Sequence, residues 1–220
     1  MIDLHTHSLF SDGVLVPSEL VRRAMVKGYE VIAITDHADS SNIDFIIPRL
    51  AAACKELNSR WSIKALPGIE LTHIPPDMFA ELTKRARELG AAIVVAHGET
   101  LVEPVFPGTN AAAIEAQVDI LAHPGLLTKQ EAERAAKNGV YLEITTRKGH
   151  SLSNGHVAKI AAATGAKLVI DTDTHEPNDL VTDEQAKNIL LGAGISADAI
   201  PAIFQHSRDL AQKALAAFTK

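Results

Sequence analysis

Seven short apolar, β-branched runs punctuate the chain, and each has a histidine or a carboxylate at or just past its end. The runs are MIDL (1–4), VIAIT (31–35), SIKALPGIEL (62–71), AAIVVA (91–96), VDILA (118–122), VYLEI (140–144) and KLVI (167–170). The polar groups at their ends are His5 and His7, His37, Glu70, His97, His123, Glu143, and Asp173 with His175. Between the runs, apolar residues recur with helical spacing at 17–28, 43–57, 76–89, 110–117, 129–138 and 153–165, and two more helices are predicted near 182–191 and 202–218. Pro17 opens the first helix, and Gly28, Gly90, Gly139 and Gly165 close four others, as helix-end chemistry prefers. Strands alternating with helices predict repeated βαβ units and a parallel sheet. No low-complexity linker or shift of composition divides the chain, so residues 1–220 read as a single domain.

Such a sheet either stays open or closes into a barrel. An open dinucleotide-binding sheet carries a glycine-rich turn after its first strand. Here the first strand runs into HTHSLFSDG, with neither G-x-G-x-x-G nor G-x-x-x-x-G-K. In a parallel barrel all strand C-termini meet on one rim, so seven polar strand ends far apart in sequence would share one pocket. The pattern therefore predicts an α/β protein with a seven-stranded, TIM-like (β/α) barrel.

Charge and composition narrow the function. Lys plus Arg number 21 against 27 Asp plus Glu, a net charge of −6, which gives the chain no overall attraction to nucleic acid or to anionic membranes. Six Phe, two Tyr and one Trp offer little for stacking bases. The one cysteine, Cys54, can neither form an internal disulfide nor supply a cysteine-type zinc site, and no apolar run approaches the ~18 residues of a membrane span. A cytoplasmic protein with no nucleic-acid or membrane partner is expected.

His5 and His7 are two residues apart, so a strand directs both to one face and offers a metal two imidazoles from a rigid element. Asp171, Asp173 and His175 repeat the device on the last strand. Together with His37 in ITDHAD, Glu70 in LPGIE, His97 in VVAHGE and His123 in LAHPG, they form a set of metal-competent groups. The loop after the sixth strand, ITTRKGHSLSNGH, adds Arg147, Lys148 and His150. Arg147 is the first choice for clamping a substrate phosphate, because guanidinium binds phosphate in bidentate fashion, with Lys148 and His150 beside it. Glu99 and Glu103 lie on a long loop after the fourth strand and are read as ligand-orienting or amine-recognising acids. Asp36, Asp39, Asp171 and Glu143 are read as supports for the ligands. His73, His156 and His206 are read as structural or exposed.

These residues resemble the PHP family, named for polymerases and histidinol phosphatases. Its hallmarks read here as His5-Thr6-His7 with Ser11-Asp12-Gly13, then Thr35-Asp36-His37, Glu70, His97, His123 and Asp173-Thr174-His175. The resemblance implies a distorted seven-stranded barrel holding three divalent ions. His5, His7, Glu70 and Asp173 would hold one; a bridging Glu70, His97 and His123 a second; Asp12, His37 and His175 a third. Glu70, His97, Asp173 and His175 would carry the catalysis. Six imidazoles and three carboxylates favour zinc, manganese or iron over magnesium or calcium. Water between such ions ionises near neutral pH and can attack phosphorus without a side-chain nucleophile. The expected activity is hydrolysis of a small phosphomonoester, in the manner of histidinol phosphate phosphatases. The alternatives are a phosphodiesterase or exonuclease, and an amidohydrolase-like barrel. Amidohydrolases, however, are expected to carry a carboxylated lysine after strand four, and that position is His97.

Overall fold

A computed structural model describes residues 1–219. Its strands are β1 (Ile2–Asp3), β2 (Val31–Ile34), β3 (His37–Ala38), β4 (Lys64–Leu71), β5 (Ile93–His97), β6 (Ile120–Ala122), β7 (Tyr141–Thr145) and β8 (Leu168–Asp171). The helices are α1 (Pro17–Val26), α2 (Ile43–Asn58), α3 (Phe79–Glu88), α4 (Thr109–Glu115), α5 (Lys129–Asn138), α6 (Asn154–Thr164), α7 (Asp183–Gly192) and α8 (Ile200–Phe218). Among the described residues, no helix is long and apolar enough to cross a membrane.

Seven strands run in the order β1-β2-β4-β5-β6-β7-β8, with every pairing parallel. The barrel expected from the alternating pattern is therefore present. One element was not foreseen: β2 breaks at Thr35-Asp36, and the chain resumes as the two-residue β3, which pairs His37 with Glu70. That break brings the His37 ring alongside Glu70.

The period-two alternation of a strand explains both layers of core and the placement of the site. Ile32, Ile34, Ile69, Val94, Leu121 and Ile170 point outwards and are buried in one large apolar cluster with helix residues such as Leu20, Ile46, Leu50 and Leu82. Leu4, Ala33, Leu66, Val95, Ile120, Ala122 and Val169 fill the barrel interior, where Leu210, Ala211 and Ala214 of α8 complete the cluster. Glu70 lies four residues beyond Leu66, and His97 two beyond Val95. The same inner face thus carries an apolar plug below and a polar group at the rim.

The barrel closes between β1 and β8, and side chains do much of the joining. Backbone contact consists of Asp173 N–H donating to the His5 carbonyl at 2.9 Å and His7 N–H donating to that of Thr174 at 2.8 Å. Below these, Leu4 N–H donates to Asp171 Oδ1 at 2.6 Å, while the Asp3 carboxylate accepts from the backbone N–H (3.1 Å) and hydroxyl (2.6 Å) of Thr172. Burial pushes the Asp3 carboxyl up to about 6, against the pull of its hydrogen bonds. Asp3→Ala would strand the buried Thr172 N–H and remove one partner of its hydroxyl, a loss of about 2–3 kcal/mol. For a domain of this size that lowers the thermal midpoint by roughly 5–10 °C. A melting curve of Asp3→Ala within a degree of wild type would mean the seam does not depend on this carboxylate.

Candidate metal centre

Two buried carboxylates organise the pocket at the strand C-termini. Glu70 Oε1 lies 3.4 Å from His5 Nε2 and 3.7 Å from His123 Nε2, and its Oε2 lies 3.6 Å from His7 Nε2 and 2.7 Å from His37 Nδ1. Asp173 Oδ1 lies 3.2 Å from His7 Nε2, 3.4 Å from His175 Nδ1 and 3.8 Å from His5 Nε2, while Oδ2 is 3.8 Å from His123 Nε2. Asp12 Oδ1 approaches His175 Nε2 at 3.1 Å, His37 Nε2 at 3.5 Å and His7 Nδ1 at 4.0 Å. His97 joins His123 and His150 in a further group whose donor atoms lie within 4.8 Å of one another. All nine residues expected as ligands are thus brought together.

The donor atoms fit divalent cations. Five of them, His5 Nε2, both nitrogens of His7, Glu70 Oε1 and His123 Nδ1, are buried without a hydrogen-bond partner. Each such atom costs about 1–3 kcal/mol if nothing satisfies it. The spacing within the pocket points to the missing partner: 3.4–3.7 Å between His5, His7 or His123 nitrogens and the Glu70 oxygens is long for a hydrogen bond. Two donors about 2.1 Å from a shared zinc at the tetrahedral angle stand about 3.4 Å apart. Protonation divides the histidines: at His5, His37 and His97 burial is outweighed by neighbouring carboxylates, which raise the imidazoles, whereas His7 and His123 go the other way. Burial, reinforced by His37 around His7 and by His97 around His123, holds both imidazoles well below their usual range and so in the neutral, metal-binding form. Burial opposes charge on Glu70 as well, but His5 and His37 hold its carboxyl well below the usual range. At Asp173, burial dominates and raises the carboxyl to about 7.

Supporting contacts fix the ligands. Glu143 Oε2 lies 2.5 Å from His5 Nδ1, which leaves Nε2 facing the pocket, so the support expected of Glu143 is present. The Asp36 carboxylate accepts from the backbone N–H and hydroxyl of both Ser8 and Ser11, which shapes the HTHSLFSDG turn. A Cβ at Gly13 would run into the His7 carbonyl, which explains the glycine that ends this turn. His123 (φ 27°) and Asp173 (φ 53°) are held in the left-handed region that side chains avoid, a strain that concentrates at functional sites. Asp39 instead caps its own turn through Ser41, away from the pocket.

The three residues expected to clamp the substrate separate. Arg147 lies at the mouth, its Nε 3.8 Å from Asp173 Oδ2 and its Nη1 3.1 Å from Asp179 Oδ2. Lys148 is exposed and, among the described residues, makes no ion pair. His150 is buried, stacks on His123 at 4.2 Å between ring centroids and is oriented by Thr100 Oγ1, 2.7 Å from its Nδ1. It therefore stands among the metal-type donors, apart from the open rim. Two further groups approach His97: Glu103 Oε2 is 3.0 Å from His97 Nε2 and 3.1 Å from His73 Nε2. His73, read from sequence as structural or exposed, is exposed and sits at the mouth. His156 and His206 bond the carbonyls of Leu127 and Leu168, as structural residues do.

The family model described as PHP domain matches residues 3–132, which include seven of the nine ligand positions; Asp173 and His175 arrive from β8, beyond the match. The uncharacterized protein MJ1295 of Methanocaldococcus jannaschii is 53% identical over 196 residues, covering 88% of this chain and 90% of its own. A probable phosphatase of Shewanella frigidimarina is 29% identical, covering 88% and 85%. The DNA polymerase/3'-5' exonuclease PolX of Bacillus subtilis is also 29% identical, but the match spans only 34% of its length. Among solved structures, the histidinol phosphate phosphatase of Lactococcus lactis, complexed with zinc, L-histidinol and phosphate, superposes with a TM-score of 0.61 at 17% identity, over 89% of this chain and 94% of that one. Since the family model covers more than half of the chain and the archaeal relative overlaps it almost throughout, the protein belongs to the PHP domain family.

Proposed function

We propose that the chain is a metal-dependent phosphoesterase that hydrolyses small phosphomonoesters. The observation that carries this reading is the convergence of nine donors, five of their atoms buried and unpartnered, at one end of the barrel. His5, His7, Glu70 and Asp173 would hold one divalent ion, Glu70, His97 and His123 a second, and Asp12, His37 and His175 a third. Ions bound there lower the pKa of water towards neutrality and offset charge on phosphoryl oxygens. Glu70, His97, Asp173 and His175 carry the catalytic role, because Glu70 and Asp173 link the histidines of different strands while His97 and His175 flank them.

Electrostatics favour an anionic substrate. Asp12, Glu70 and Asp173 bring −3 and three divalent ions +6, a local balance of about +3 on a chain whose net charge is −6. A dianionic monoester gains more from that balance than a monoanionic diester. Arg147, partly exposed at the mouth and within 4 Å of Asp173, would meet phosphate oxygens once freed from Asp179. Nucleic-acid substrates, suggested by the exonuclease relative, find few aromatic side chains here to stack on.

Steady-state kinetics on matched monoester and diester pairs test the reading. The monoester should be the faster substrate, and Arg147→Ala should lower kcat/KM by ~2–3 kcal/mol, mainly through KM. A clear diester preference would support the nuclease alternative. An Arg147→Ala enzyme with wild-type kinetics would remove Arg147 from the substrate site.

A further inference from the structure

His97 does not share Glu70 in the way the other inner histidines do. Oxygens of Glu70 lie within 4.0 Å of nitrogens of His5, His7, His37 and His123, whereas the carboxylate within that distance of His97 belongs to Glu103. His97 Nδ1 is engaged with the Gly98 carbonyl at 3.2 Å, so Nε2 is the nitrogen left for a cation, and it faces Glu103. The same Glu103 oxygen meets His73 Nε2, and His73 is held at φ 51°, a third strained strand-end residue beside His123 and Asp173. The other oxygen of Glu103 is 3.5 Å from His150 Nε2. Donor atoms of His73, His97 and Glu103 all lie within 4.8 Å of one another.

The loop that delivers Glu103 is built to hold its neck and leave its tip free. Glu99 Oε1 accepts from the backbone N–H groups of Gly108 (3.0 Å) and Asn110 (2.9 Å), and Asn110 Oδ1 accepts from Glu99 N–H at 3.0 Å. Beyond this neck the tip exposes Leu101, Val102 and Phe106, so apolar burial does little to anchor it. Glu103 ties it to the barrel mouth.

We propose that Glu103 and His73 complete the coordination of the divalent ion that His97 holds, so that this ion fastens the loop of residues 98–108 over the mouth. Two imidazoles and a carboxylate suit a borderline ion such as zinc. The inference rests on the reading of the pocket as a metal centre and adds two ligands beyond the nine.

Zinc-loaded wild type, Glu103→Gln and His73→Ala are dialysed against graded chelator and their zinc content is measured, while hydrogen exchange of residues 99–107 is followed with and without zinc. Each variant should hold one ion about 10- to 100-fold more weakly and keep the others. Zinc should slow exchange of the loop in wild type but not in Glu103→Gln, and Glu103→His, which restores a donor, should recover part of both effects. Variants that match wild type in zinc retention and in exchange would overturn the proposal while leaving the metal centre standing. A wild type that takes up no zinc would overturn both.

Discussion

Glu70→Ala is expected to lower phosphoesterase kcat/KM by about a thousandfold or more, a barrier increase of ~4 kcal/mol, and to release more than one ion per chain. The size of the effect follows from position. Glu70 is fully buried, and its two oxygens lie within 4.0 Å of four imidazoles carried by β1's extension, β3 and the end of β6. No other residue reaches all of them, so its loss also leaves His5 and His7 with fewer shared anionic partners. His206→Ala, whose ring bonds only the Leu168 carbonyl at 2.9 Å, should keep both activity and metal content and so controls for folding. Parallel kinetics and elemental analysis on the two variants decide the matter. Equal activity in both would show that the strand ends are not the reacting site.

Removing the ions should lower the thermal midpoint by roughly 10–20 °C. Five buried donor atoms have no hydrogen-bond partner of their own. At about 1 kcal/mol each, the low end of the usual range, they represent ~5 kcal/mol that a bound cation would offset. A domain of this size shifts by about 2–4 °C per kcal/mol. Stability gained from a ligand also rises with its free concentration, so the midpoint should climb as zinc is titrated back into chelated protein. Calorimetry of chelated and zinc-restored protein that gave the same midpoint would mean these atoms are satisfied in some other way.

The barrel was legible because strand and helix periods alternate without interruption and every strand ends in a polar group. Eight of the nine candidate ligand positions were legible for the same reason, since a residue just past a strand end is constrained to the rim, whereas Asp12, nine residues past β1, came only with the resemblance to the PHP family. Loops carry no such constraint. Glu103 lies six residues past β5, and only the folded path of that loop, pinned by Glu99 and Asn110, turns its carboxylate back onto His97. His150 was placed with Arg147 and Lys148 because the three are near neighbours in sequence. The turn at 150–153 instead buries its ring against His123, and Arg147 turns towards Asp173 and Asp179. β3 escaped notice because two residues are too few to show a period, although that short strand is what sets His37 beside Glu70. The seam between β1 and β8 was equally hidden, since it depends on the Asp3 and Asp171 side chains reaching across to the opposite strand.

Elemental analysis of the protein purified after metal-replete expression tests the metal centre most directly. The nine donors, divided among three sites, predict two to three zinc, manganese or iron ions per chain, retained through gel filtration and lost from Glu70→Ala. Fewer than one ion per chain, with no uptake when zinc or manganese is added, would contradict it.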